Sequence, residues 1–128
     1  MNIIIKSFPV LLLMILGPAG TLAQRSIFVS PESKQTQDGS QSHPFSKLED
    51  AAAQAMPGDT IYLLPGRYNG TQQLRHIKGQ PNQPIVITAF DKKAIPVIDG
   101  LSEPSNDALH PGLLLDSCRW ISISAIKF

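Results

Sequence analysis

Pro57-Gly-Asp-Thr-Ile-Tyr-Leu-Leu-Pro-Gly-Arg-Tyr68 changes the character of the chain. Pro57-Gly58 stops whatever helix precedes it, because proline lacks the N–H and glycine tolerates the left-handed turn. Thr60-Ile-Tyr-Leu-Leu64 is rich in strand-forming side chains, and Pro65-Gly66 closes the run with a turn.

Upstream of this segment the sequence predicts one helix, Lys47 to Met56, of about three turns. Ser46-Lys-Leu-Glu49 has the spacing of a capping box. Ala51, Ala52, Ala53 and Ala55 favour the helix, and Phe45, Leu48, Ala52 and Ala55 place apolar groups at helical spacing. Before the helix, residues 30–44 are a polar loop, and Ile27-Phe28-Val29 is a short strand candidate.

Downstream, short β-rich runs alternate with turn residues. They are Pro84-Ile-Val-Ile-Thr-Ala89, Pro96-Val-Ile98, Gly112-Leu-Leu-Leu115, Trp120-Ile-Ser-Ile-Ser124 and Ile126-Lys-Phe128. Two architectures accommodate such runs. An antiparallel sandwich wants hairpin turns and strict alternation. A solenoid stacks each strand on one a full turn away, with a repeat of about 20–50 residues. Ile61, Ile85 and Leu113 begin comparable runs, 24 and 28 positions apart. Only Trp120–Ser124 alternates well; Ile85-Val-Ile87 and Leu113-Leu-Leu115 read as strands partly buried on both faces. Periodicity leaves the two architectures level.

The first residues predict export. Lys6 precedes Phe8-Pro-Val-Leu-Leu-Leu-Met-Ile-Leu16, an apolar run of nine, and Thr21-Leu22-Ala23 offers small residues at a cleavage site. The run is shorter than the roughly 20 residues a membrane span needs. Residues 1–23 are therefore expected to be a signal peptide cut between Ala23 and Gln24. Residues 24–128 would form the mature part, secreted, periplasmic or at the cell surface, with no stable membrane span. Of 11 Lys and Arg, Lys6 leaves with the signal, so ten face ten Asp and Glu. A zero balance argues against nucleic acid as a partner. Cys118 is the sole cysteine, which excludes an internal disulfide.

The motif string adds a resemblance. Phe28-Val-Ser-Pro31, Asp38-Gly-Ser40, Pro44-Phe45-x-x-Leu48-x-x-Ala51, the segment 57–68, Pro84–Ala89, Val97-Ile-Asp-Gly100 and Cys118-x-Trp-Ile-Ser-Ile-x-x-Ile-x-Phe128 resemble the opening of exported pectate-lyase-like proteins. Pectate lyases and the alginate lyase and chondroitinase B group are similar. The resemblance implies an all-β fold, a right-handed parallel β-helix with a short capping α-helix at its N-terminal mouth. It implies that Ile61, Leu63, Ile85, Ile87, Leu114, Ile121 and Ile123 stack inside. It implies a tight turn at Pro57-Gly58-Asp59, where the Asp59 carboxylate accepts local backbone N–H groups. The chain ends in a strand-like run at Phe128 with no closing cap, and is expected to be a truncated product or a fragment.

The resemblance implies action on polysaccharide, with β-elimination within uronic-acid glycans as the leading reading. The alternatives are a non-catalytic β-helix surface protein for glycan binding or adhesion, and an inactive fragment. An elimination needs a cation on the carboxylate, a base and an acid for the leaving oxygen. In the family these groups sit on middle rungs, expected beyond Phe128, so no catalytic residue is assigned. No cofactor is evident; calcium in the full-length protein is implied by resemblance alone. A monomer with a glycan partner is expected.

The chemistry-bearing residues present are weak candidates. Lys92-Lys93 reads as a solvated turn. Asp99, Asp107 and Asp116 lack metal-ligand spacing, and His43, His76 and His110 are isolated. Arg67 and Arg75 read as surface charges before groove residues. Trp120 could stack on a sugar, but local packing is the plainer role. Cys118 reads as a small packing residue, with nothing nearby to lower its pKa.

Overall fold

A computed structural model describes residues 24–34, 36–102 and 111–128. The signal segment with Ala23, and Asp107 and His110, lie outside the described residues. Among the described residues the regular elements are mostly strands, with one short α-helix: β1 (Ser26–Val29), α1 (Leu48–Gln54), β2 (Thr60–Leu63), β3 (Arg67–Asn69), β4 (Gln72–Arg75), β5 (Ile85–Ala89), β6 (Val97–Asp99), β7 (Leu113–Asp116) and β8 (Ile121–Ser124). A 3₁₀ turn at Gly100–Ser102 follows β6.

Every pairing between these strands is parallel. One sheet runs β1-β2-β5-β8, a second β3-β6 and a third β4-β7. The chain visits the three sheets in the same order on each circuit. Among the described residues no hairpin joins neighbouring strands, which disposes of the antiparallel sandwich there.

Register puts like on like. Ile27 lies beside Ile61, Ile61 beside Ile87, and Ile87 beside Ile123. Val29, Leu63 and Ala89 form a second inward row. Tyr68 is beside Ile98, and Leu74 beside Leu115. Ile61, Leu63, Ile85 and Ile87 are wholly buried, each worth about 1.5–3 kcal/mol of hydrophobic stabilisation. Strand parity explains the pattern, since alternate residues point to opposite faces. β5 follows it, with Val86 and Thr88 half-buried between buried neighbours. The Ile85–Ile87 run is therefore fully buried on its inward face and half-buried on the other, at Val86, as expected.

The expected 24- and 28-residue repeat is replaced by another. Ile61 pairs with Ile87, 26 positions on, and Ile85 pairs with Ile121, 36 positions on. Leu113 belongs to a different sheet, opposite Gln72. By register the inward residues of β7 are Leu113 and Leu115, aligned with buried Gln72 and Leu74, and Leu114 faces out beside half-buried Gln73.

The helix is shorter than expected, and the capping box does not form. Lys47 is the N-cap and makes no side-chain cap. The Ser46 N–H and hydroxyl donate to Gln37 Oε1 at 3.0 and 3.3 Å, and Glu49 Oε1 accepts the backbone N–H of Gln73 at 3.1 Å. Pro57 pushes the residue before it away from helical angles. Met56 N–H is accordingly bound by Asp59, 2.9 Å away. Leu48, Ala51 and Ala52 are the buried face, packed against β1 and β4. These strands end two different sheets, so the helix lies across that end. The other edge of β1 is covered by the polar loop: Phe28 N–H donates to Gly39, and Ser30 N–H to Phe45. Ile126–Phe128 is no strand; Lys127 makes an isolated parallel bridge to Val97.

Candidate functional site

The most buried charge is Asp59, 2% exposed. Its Oδ1 accepts the Arg25 N–H at 3.1 Å. Its Oδ2 accepts Met56 N–H at 2.9 Å, Arg25 Nη2 at 2.8 Å and Arg25 Nε at 3.2 Å. Burial alone would raise the pKa, but these donors outweigh it and hold the carboxyl below its usual range. Both oxygens are filled from within the chain. Asp59 fastens the turn between helix and β2, as the sequence suggested. The Tyr68 hydroxyl lies 2.9 Å from the Val29 carbonyl and 2.8 Å from that of Leu64, sharing one proton between them. Burial pushes its pKa well up, so it stays a neutral structural donor.

The sequence candidates are scattered. Lys92 and Lys93 are exposed in a turn where Asp91 Oδ1 accepts the Lys93 N–H at 2.8 Å. Asp99 on β6 pairs with Arg67 and accepts the Leu101 N–H. Asp116, on another sheet, accepts the Ser117 hydroxyl. His43 is exposed in the polar loop, its N–H on Ser40 Oγ. His76 sits at φ 57°, at the bend after β4, and Ser117 at φ 57° occupies the same bend after β7. Arg75 is exposed and donates to Gln73 Oε1 at 2.7 Å. Cys118 packs against the core, its Sγ 3.3 Å from the Leu74 carbonyl. Trp120 is 55% exposed at φ 55°, so the expected local packing of its ring is largely absent. Gln24 is exposed. Among the described residues, no three His, Cys, Asp or Glu side chains gather to hold a metal ion. Among them, too, no helix is long and apolar enough to cross a membrane.

Two other surfaces bear on ligand binding. One is a cleft of about 420 Å³ between the helix start and β3, bordered by Lys47, Glu49, Arg67 and Thr71. Glu49 and Arg67 are already engaged, with Gln73 and Asp99. The other is the outward face of the four-stranded sheet. Register brings Phe28 beside Tyr62 with ring centroids 5.5 Å apart and planes at 26°. Phe90, just after β5, packs edge-on to both, at 5.5 and 5.9 Å. Beyond Tyr62 the same row continues as Thr88 and Ser124, joined by a 3.1 Å hydroxyl–hydroxyl bond. Sequence reading missed this cluster. The available signal was one aromatic beside each inward apolar residue, but only the register unites them.

No family model matches the chain. Among curated proteins it is similar to Pectate lyase PEL9 of Emericella nidulans, 32% identical over 83 residues, which is 64% of this chain and 20% of that protein. It is also similar to Uncharacterized protein YwoF of Bacillus subtilis, 26% identical over 100 residues, 78% of this chain and 21% of that protein. The chain thus spans about a fifth of the length of the curated relatives it matches. Among solved structures it resembles a GH136 lacto-N-biosidase from Eubacterium ramulus, with a TM-score of 0.56 and 22% identity, over 80% of this chain and 20% of that one. At that identity the likeness is one of fold.

Proposed function

We propose that this chain forms the helix-capped opening circuits of a right-handed parallel β-helix that acts on polysaccharide outside the cytoplasm. The leading chemistry is β-elimination within uronic-acid glycans. The observation that carries the reading is the register: three sheets revisited in order, every strand pair parallel, and Ile27, Ile61, Ile87 and Ile123 in one row. The similarity to a pectate lyase supports the substrate class. Signal cleavage at Ala23, and calcium as an ion for the full-length protein, belong to the same proposal.

Elimination needs positive charge on the substrate carboxylate and a base near the adjacent carbon. Asp59 and Arg25 are paired with each other, and Arg67 is paired with Asp99. By the same proposal the catalytic groups lie outside these residues, in a protein of the length of the curated relatives, of which this chain spans about a fifth. The test is ultraviolet absorbance of unsaturated uronates. The longest reading frame containing this sequence is assayed on pectate, alginate and chondroitin sulfate, with and without calcium. Absorbance growing on one of them is expected. Silence on all three, with retained glycan binding, would favour the second reading, a non-catalytic glycan-binding surface protein. That reading draws on the aromatic cluster outside the large sheet.

A further inference from the structure

We infer that the outward face of the β1-β2-β5-β8 sheet is a docking platform for uncharged sugar rings of a glycan, an inference resting on the polysaccharide reading above. The strands read Ser-Ile-Phe-Val, Thr-Ile-Tyr-Leu, Ile-Val-Ile-Thr-Ala and Ile-Ser-Ile-Ser, without one Asp, Glu, His, Lys or Arg. Their outward positions are hydroxyls and aromatics. Ser26, Thr60 and Ser122 line one row, with Val86 among them. Phe28, Tyr62, Thr88 and Ser124 line the next.

That mixture fits a pyranose. The ring has apolar C–H faces, which gain from stacking on an aromatic, and a rim of hydroxyls, which need donors and acceptors. Phe90 is left 43% exposed by folding, against half-buried Phe28 and Tyr62. It is the ring best placed to take up a sugar face. Thr88 and Ser124, in the row of Tyr62, supply hydroxyls beside it. A uronate would bring a carboxylate, and burying that charge here without a cation would be costly. The strands provide none; the Lys92-Lys93 pair lies in the turn beyond Phe90 and is exposed. Charge complementarity thus selects neutral residues of a glycan at this face.

The experiment titrates the whole chain with a neutral galactooligosaccharide, following Phe and Tyr ring protons by NMR. An oligogalacturonate of equal length is the charged comparison. The neutral ligand should shift the ring protons of Phe90, Phe28 and Tyr62, with a Kd that added salt barely moves. Phe90→Ala should raise that Kd about fivefold or more, the loss of one stacking contact. Thr88→Val, which keeps shape and packing, should raise it about threefold to tenfold by removing a hydroxyl. Trp120→Ala, just before β8 and outside the ring cluster, should leave it unchanged. Because Phe90→Ala also removes two ring contacts, the Thr88→Val result decides if that variant unfolds. Neutral binding that both variants leave intact, or binding of the uronate alone, overturns the platform while the polysaccharide reading stands. Binding of neither ligand by the unaltered chain overturns the platform too, whereas the polysaccharide reading stands or falls by the uronate assay on the longer reading frame.

Discussion

Gly79 shows how tightly the backbone closes between circuits. A methyl group there would sit 2.4 Å from the Trp120 carbonyl oxygen and 2.9 Å from Ile85 N. Those atoms carry the Ile85 N–H bond to Trp120, so they cannot yield. Gly79→Ala should cost about 2 kcal/mol or more, read as a lowered denaturation midpoint. Asp59 gives the second prediction. Its folded pKa lies below the unfolded value, so its contribution is present above pH 3.8 and fades as pH falls through the folded pKa. Asp59→Asn puts an amide N–H₂ among donors and should cost about 1–3 kcal/mol at neutral pH. The figure is discounted for solvent around Arg25, whose side chain is 52% exposed. Urea midpoints from pH 7 to pH 2 should show the gap between the two proteins narrowing only below about pH 4. An equal gap at pH 2 would mean the Arg25 pairing is not its source. Asp59 was legible because Pro57-Gly58 announced its turn. The Phe28–Tyr62–Phe90 cluster was not, since its ends lie 62 positions apart and meet only through β2.

Among the elements, the strong β-branched runs were readable and the weak ones were not. β1, β2, β5, β6 and β8 lie within a residue or two of their expected places. β3 and β4 were missed because Arg-Tyr-Asn and Gln-Gln-Leu-Arg carry polar residues outward and few apolar ones inward. Gln72 even points in, its amide donating to the Gly70 carbonyl at 3.2 Å. The repeat was misjudged for a related reason. Insertions between sheets differ from circuit to circuit, so equal spacing along the chain does not mean equal place in the fold. The helix was placed correctly, but its polar caps were assigned to local partners when tertiary ones win. Glu49 is the instructive case: it satisfies the backbone of β4 at the sheet's end. Glu49→Ala should lower stability by about 0.5–1.5 kcal/mol, with Glu49→Gln recovering most of it, because the amide oxygen still accepts. Thermal unfolding of the three proteins checks this. Equal loss in both variants would point to charge at the helix start as the source.

At the scale of the whole molecule, stability should be graded along the stack. A circuit flanked on both sides buries its inward residues completely, and one flanked on a single side does not. Ile61 and Ile87 have no exposure, while Ile121 and Ile123 on β8 are only half-buried. β7 is more open still, with Leu115 47% exposed. Nearest-neighbour stacking makes each circuit's stability depend on the circuits it touches. Amide hydrogen exchange should therefore be slowest in β2 and β5, which have two strand neighbours each, and fastest in β7 and β8. Side-chain deletions should follow the same gradient. Ile87→Ala removes volume from a closed interior and should cost about 2–5 kcal/mol. Ile123→Ala, in the same row but half-buried, should cost clearly less when the 128-residue chain is tested by itself, since water already reaches it there. The helix end behaves differently, because Leu48, Ala51 and Ala52 cover it and β1 remains buried beneath. Uniform protection across β2, β5, β7 and β8 would show a single cooperative unit and remove the basis for treating the circuits as separable layers.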